Sequence, residues 1–213
     1  MKIKWYGHSC FMLESENGTK IVTDPCDPST GYDLPAIETD IVTVSHAHHD
    51  HNYTEAVKKY DLLLDTASEV EYKGIRIKGI LTYHDDVQGK KRGGNIVYVY
   101  DIDGMKVAHA GDIGEIPDSR TLAQIGDVDI LLVPVGGVFT IDSKQAREFA
   151  NMLKPKVVIP MHYKTHKLTF DLADVSEFVN KAENCRIHRL NQDECTLSKE
   201  TLGEDRIIVF SVK

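Results

Sequence analysis

The stretch SHAHHDHNY, residues 45–53, sets four histidines and an aspartate in six consecutive positions, directly after the apolar run DIVTVS. An expression tag is terminal and flanked by linker, whereas this cluster is internal and follows a strand. A solvated loop would gather imidazoles that repel one another once any is protonated. A metal site uses them together. In an extended chain His46 and His48, two apart, project to the same side. The chain then turns and swings Asp50 and His51 to an adjacent position, with His49 between them pointing away. Imidazole nitrogen and carboxylate oxygen suit zinc and its first-row neighbours. Four such ligands on one tight turn cannot all reach a single ion without strain, but they can serve two.

Further ligands are available where apolar strands meet loops, the usual place to build a site on a rigid scaffold. IRIKGILTYH ends at His84, MKVAHAGD at Asp112 and KVVIPMH at His162. Each alone is as compatible with a structural role. Together with the cluster they supply five histidines and two aspartates, enough for a two-metal centre.

The frame around these residues reads as strands first, then strands alternating with helices. KIKWY, SCFMLES and KIVTD are short alternating runs, the last two joined by an Asn17-Gly18 hairpin turn. Asp103-Gly104 marks a second hairpin inside NIVYVYDIDGMKVAHAGD, and LLLDT and EVEYKG read as further strands. TEAVKKYDLL is predicted as a helix of two to three turns capped near Thr54. DILLVPVGG and KVVIPMH are continuous apolar runs of strands covered on both faces. Ala146, Phe149, Ala150 and Leu153 fall at helical spacing within DSKQAREFANMLKP, after Asp142 or Ser143 as cap and before Pro155. Leu172, Val175, Val179 and Ala182 mark another amphipathic helix, and RIHRL and RIIVFSVK are predicted as closing strands. No linker or low-complexity tract divides the chain, so 1–213 is expected to form a single α/β domain of helices covering packed sheets.

Twenty-five Lys and Arg against 33 Asp and Glu give a net charge of −8, which argues against a nucleic-acid partner. It leaves room for a small anionic substrate held by local donors. No apolar run approaches the roughly 20 residues that span a bilayer, and MKIKWYGHSCFML does not read as a signal peptide. Cys10, Cys26, Cys185 and Cys195 show no C-x-x-C spacing. A Cys185–Cys195 disulfide is open, but reduced thiols and a cytoplasmic location are expected.

The pattern His46-Ala47-His48-His49-Asp50-His51, followed in order by His84, Asp112 and His162, resembles the H-x-H-x-D-H signature of the metallo-β-lactamase superfamily. WYGHSCF, IVTDP, VAHAGD, PVGGVFTID and LKPKVVIPMHYKT are similar to segments of its small L-ascorbate-6-phosphate lactonase-like branch. The resemblance implies a four-layered αβ/βα sandwich, an α/β (α+β) fold with its metal site along one edge between the sheets. It implies two divalent ions, zinc or else Mn, Fe or Ni. One would be held by His46, His48 and His84 and the other by Asp50, His51 and His162, with Asp112 bridging. His48 stands where the redox di-iron branch has a glutamate, and there is no room for a β-CASP insert.

The expected activity is metal-dependent hydrolysis of a small lactone, ester or phosphodiester by a hydroxide activated at the dinuclear centre, with Asp50 and Asp112 as the catalytic carboxylates. The alternative is a non-catalytic metal- or ligand-binding protein on the same scaffold. Self-association is left open. His8, in the GHS segment, and Asp24, closing IVTD, are candidates to orient ligands or touch substrate, and Thr140 and Lys164 to touch substrate. Lys90, Lys91 and Arg92 in QGKKRGGN form either a mouth that attracts anions or a solvated loop. His109, His166 and His188 read as structural.

Overall fold

Period-two alternation sorts the early strands' side chains between two cores. In Cys10–Glu14, Lys20–Thr23 and Ile41–Thr43, neighbouring residues face opposite ways. Phe11, Ile21 and Ile41 join a large core shared by both sheets, while Cys10, Val22 and Val42 join a smaller one on the outer face. The computed structural model describes residues 1–182, 185–203 and 206–212. Lys213, the end of the expected RIIVFSVK strand, lies outside them.

Among the described residues the first sheet has six strands, in the order Glu194–Thr196, Lys2–Gly7, Cys10–Glu14, Lys20–Thr23, Ile41–Thr43 and Leu62–Leu64. The second has eight: Arg186–Arg189, Arg206–Val209, Val157–Met161, Ile130–Pro134, Met105–His109, Gly94–Ile102, Ile75–Tyr83 and Glu69–Tyr72. Both expected hairpins form, Asp103 and Gly104 turning with φ of 53° and 71°. Ile130–Pro134 and Val157–Met161 are parallel neighbours and buried throughout, as their apolar runs require.

Strand direction determines where chemistry can gather. Within the first sheet Lys2–Gly7, Lys20–Thr23 and Ile41–Thr43 run the same way. Within the second, Ile75–Tyr83, Met105–His109 and Val157–Met161 share a direction. His8, Asp24, His46, His84, Asp112 and His162 all follow the C-terminal ends of these six strands. The sheets thus deliver them to one rim.

The helix Ser143–Leu153 buries Ala146 and Phe149 and opens on a reciprocal cap: Asp142 accepts from the Gln145 N–H, and the Gln145 side chain accepts from the Asp142 N–H. Two expected helices differ. TEAVKKYDLL forms only a 3-10 turn, Thr54–Ala56, before the strand Val57–Lys59, which pairs with Ile37–Glu38. Leu62–Leu64 then pairs with Ile41–Thr43. Pairing on both sides of Tyr60 draws the segment out, and tertiary contacts override its helical pattern. The helix expected from Leu172 is confined to Ser176–Asn180. Ala173 N–H donates to the Gly136 carbonyl and Asp174 bridges to Lys164, which holds residues 173–174 extended although Leu172 and Val179 are both buried. Cys10, Cys26, Cys185 and Cys195 are all free of disulfide bonds. No helix among the described residues is long and apolar enough to cross a membrane.

Candidate metal centre

Asp112 is where the rim converges. Its Oδ2 lies 3.1 Å from His162 Nε2, 3.2 Å from His51 Nε2, 3.4 Å from His84 Nε2 and 4.0 Å from His46 Nε2. Asp112 itself is held by its backbone: its N–H donates to Asn95 Oδ1 at 2.8 Å, and the Asn95 amide donates to the Ala110 carbonyl and Thr82 Oγ1. Gly111 makes this approach possible. It has φ of 56°, and a Cβ there would stand 2.3 Å from Asn95 Oδ1 and 2.6 Å from Ser45 Cβ.

The remaining residues fall into two lobes around that carboxylate. The imidazoles of His46, His48 and His84 form one, with ring centroids 4.6–5.1 Å apart. Asp50, His51 and His162 form the other, joined by His8, whose Nε2 lies 3.2 Å from Asp50 Oδ2 and whose ring is 4.2 Å from that of His162. Within each lobe, and in a third group of His46, His51 and Asp112, one ligand atom per residue lies within 4.8 Å of the others. His49 is exposed and joins none of these groups.

Asp24 holds the scaffold behind both lobes. Its carboxylate accepts from Ser45 N–H at 2.8 Å, Ser45 Oγ at 2.6 Å and His51 Nδ1 at 2.8 Å. The Ser45 hydroxyl spends its one hydrogen on Asp24, so His46 Nδ1, 3.0 Å away, donates to it. In both histidines Nδ1 therefore carries a proton, which leaves Nε2, facing the rim, as the nitrogen a cation would take. His8, Asp24 and His162 adopt left-handed backbone with φ of 52°, 38° and 50°. Such conformations in non-glycine residues concentrate at functional sites.

The electrostatics favour a cation. Burial pushes His8 down to about 4 and His46 to about 3, reinforced by neighbouring imidazoles, so both stay neutral at pH 7. Burial opposes ionisation of Asp112, but His162 and His51 outweigh it and hold the carboxyl well below its usual range. Burial likewise opposes a charge on His51, yet Asp112 and Asp24 together raise its pKa well above the ordinary value. The same carboxylates that attract a proton there would attract a metal ion.

The residues present fit a metal. His46 Nε2, His51 Nε2, His84 Nδ1, Asp112 Oδ1 and both ring nitrogens of His162 are buried without a hydrogen-bond partner among the described residues. Each such group ordinarily costs about 1–3 kcal/mol, so this concentration has no structural rationale. Cation coordination would supply one for the Nε2 atoms of His46, His51 and His162 and for the Asp112 carboxylate, each imidazole giving an ion one nitrogen.

Lys164 and Thr140 direct their polar groups to neighbours in their own segments. Lys164 gives its ammonium to three acceptors in its own loop, the carbonyls of Leu168 and Phe170 and the Asp171 carboxylate. Thr140 Oγ1 turns back onto the Ile141 carbonyl. His109, read as structural, pins the GHS segment by bonding the Ser9 carbonyl through Nε2 and accepting from Gly111 N–H. Asn95, Ser45 and Gly111 were not singled out from sequence. A polar residue opening the apolar run NIVYVY was the one signal for Asn95.

A family model described as the beta-lactamase superfamily domain matches residues 2–162. The chain belongs to this superfamily. Within it, the UPF0173 metal-dependent hydrolase of Nanoarchaeum equitans is 33% identical over 221 residues, covering 91% of this chain and 98% of that one. The UPF0173 metal-dependent hydrolase of Thermoplasma volcanium is 31% identical over 210 residues, covering 85% and 91%. Among solved structures, a metallo-beta-lactamase superfamily protein from Thermotoga maritima superposes with a TM-score of 0.83 at 39% identity, covering 100% of this chain and 99% of that one. The expected fold is therefore the one observed. On the first sheet's outer face the covering elements include short 3-10 turns and the ribbon of Ile37–Glu38 with Val57–Lys59.

Proposed function

We propose that the chain is a metal-dependent hydrolase whose two lobes each hold a divalent ion. His46, His48 and His84 would hold one, and Asp50, His51 and His162 the other, with Asp112 shared between them. The observation that carries this reading is the convergence of four imidazole Nε2 atoms on Asp112 Oδ2 at 3.1–4.0 Å. All-nitrogen and oxygen ligands make zinc the first expectation, with Mn, Fe and Ni chemically acceptable.

When bound, such ions lower the pKa of water from 15.7 toward about 7 and polarise a carbonyl or phosphoryl oxygen. The chain's own residues supply position. Asp24 fixes the tautomers of His51 and His46, His8 orients Asp50, and Asn95 fixes the backbone of Asp112. Groups so held need no reorganisation as charge develops in the transition state. Substrates of this chemistry are small lactones, esters or phosphodiesters. We take the whole chain, 1–213, to act as a single domain, since residues from Met1 to Phe210 share one apolar core.

The test is turnover of p-nitrophenyl acetate, γ-butyrolactone and bis(p-nitrophenyl) phosphate by chelator-treated protein, before and after reloading with zinc, manganese or nickel. Hydrolysis that appears only on reloading is expected. Equal rates with and without metal, or no turnover under any condition, would overturn the proposal.

A further inference from the structure

The ligands bear on how water is activated; the rim beside them bears on what is bound. Two loops leave that rim next to ligand residues. Residues 136–140 are locked against His162, since Gly136 N–H donates to the His162 carbonyl at 3.0 Å and a Cβ on Gly136 would stand 2.3 Å from that oxygen. The loop then holds Val138 and Phe139 out in water, 66% and 39% exposed, with Val138 at φ of 63°. A β-branched residue pays a conformational penalty there that nothing in the core repays.

The second loop follows His84. Buried Asp85 accepts from the backbone N–H groups of Val87, Gly89, Lys91 and Arg92 at 2.8–2.9 Å. Burial would raise its pKa, but these four donors outweigh it and hold the carboxyl at about 2. This anchor sends Arg92 across to the first loop. Its guanidinium lies 5.5 Å from the Phe139 ring centroid and donates to the Val138 carbonyl at 3.4 Å. Lys91 pairs with Asp86, whereas Arg92 has no carboxylate partner among the described residues.

From Arg92 the rings run back to the ligand cluster. Phe139 and Phe170 meet at 6.2 Å, edge to face, and Phe170 meets His8 at 5.5 Å. Lys164 pins the Phe170 carbonyl at 2.7 Å. A guanidinium with unused donors, two rings and the candidate centre thus form one continuous wall. In a chain of net charge −8, such a cation is a local attractor for anions.

We propose that Arg92, Phe139 and Phe170 are specificity-determining residues: they take a substrate with an anionic group at its far end and a flat apolar body between that group and the scissile bond. This rests on the hydrolase reading above. Arg92 binds carboxylate or phosphate oxygens through its planar fork, and the body covers the Phe139 and Phe170 rings.

The probes are benzylphosphonate and its 4-carboxy and 4-phosphono derivatives, which are not hydrolysed, titrated calorimetrically into the metal-loaded full chain. On wild type a second anion is expected to tighten binding about tenfold, the larger gain identifying the preferred anion. Arg92→Ala should erase that preference, Arg92→Lys should recover only part, and Phe139→Ala should weaken all three ligands. A wild type that does not distinguish the ligands, or a preference that survives Arg92→Ala, would overturn the proposal. If the preference holds while no ester or phosphodiester is turned over, the hydrolase reading fails and the binding wall stands. If esters are cleaved but the preference is missing, this inference falls alone.

Discussion

The Asp24 carboxylate accepts from His51 Nδ1 directly and from His46 Nδ1 through Ser45 Oγ, so one buried anion sets the tautomer of a histidine in each lobe. Asp24→Asn keeps the size but replaces one acceptor oxygen with a donor. Metal affinity is expected to fall about 10–100-fold, the usual cost of losing a ligand-orienting partner. Competitive titration with a chromophoric chelator measures it. Wild-type affinity in the variant would show that the tautomers are set elsewhere.

Metal removal should destabilise the fold. An ion that binds only the native state adds about 2.7 kcal/mol at a hundredfold excess over Kd. For a chain of this length that is roughly 5–10 °C in melting temperature. Scanning calorimetry with and without chelator, then after zinc addition, should show the loss and its recovery. An unchanged transition would count against a cluster built around cations.

His109→Ala separates support from chemistry. It leaves the Ser9 carbonyl and the Gly111 N–H without partners and opens a cavity, so stability should drop by roughly 2–5 kcal/mol. Under conditions where the variant remains folded, metal stoichiometry should match wild type. Urea denaturation and elemental analysis read the two effects independently.

Asp85→Ala tests whether one carboxylate organises the loop after His84. Amide exchange at Val87, Gly89, Lys91 and Arg92 should accelerate while that of the Ile130–Pro134 strand is unchanged. Unaltered protection in the loop would show that other contacts order it.

Much of this site was legible because side chains able to hold a metal are restricted to few residue types. The six-residue run from His46 to His51 fixed one wall, and His84, Asp112 and His162 were visible as polar residues closing apolar strands. Asp24 could be suspected from its place after KIVT. Asn95 and Ser45 could not, because their roles depend on which strands become neighbours: Asn95 reaches Asp112 across a sheet register that local pattern does not encode. The same reason explains TEAVKKYDLL, whose helical pattern gives way to pairing with Ile37–Glu38. Arg92 was seen only as part of a charged run. Its relation to Phe139 joins two loops 46 positions apart at Val138, and only the fold brings them together.

The most direct measurement is the metal content of the full chain and of Asp112→Ala after equilibrium dialysis against zinc, read by elemental analysis. Two ions per chain in the wild type and one or none in the variant are expected. A wild type that takes up no metal, or a variant that keeps both ions, would contradict the account.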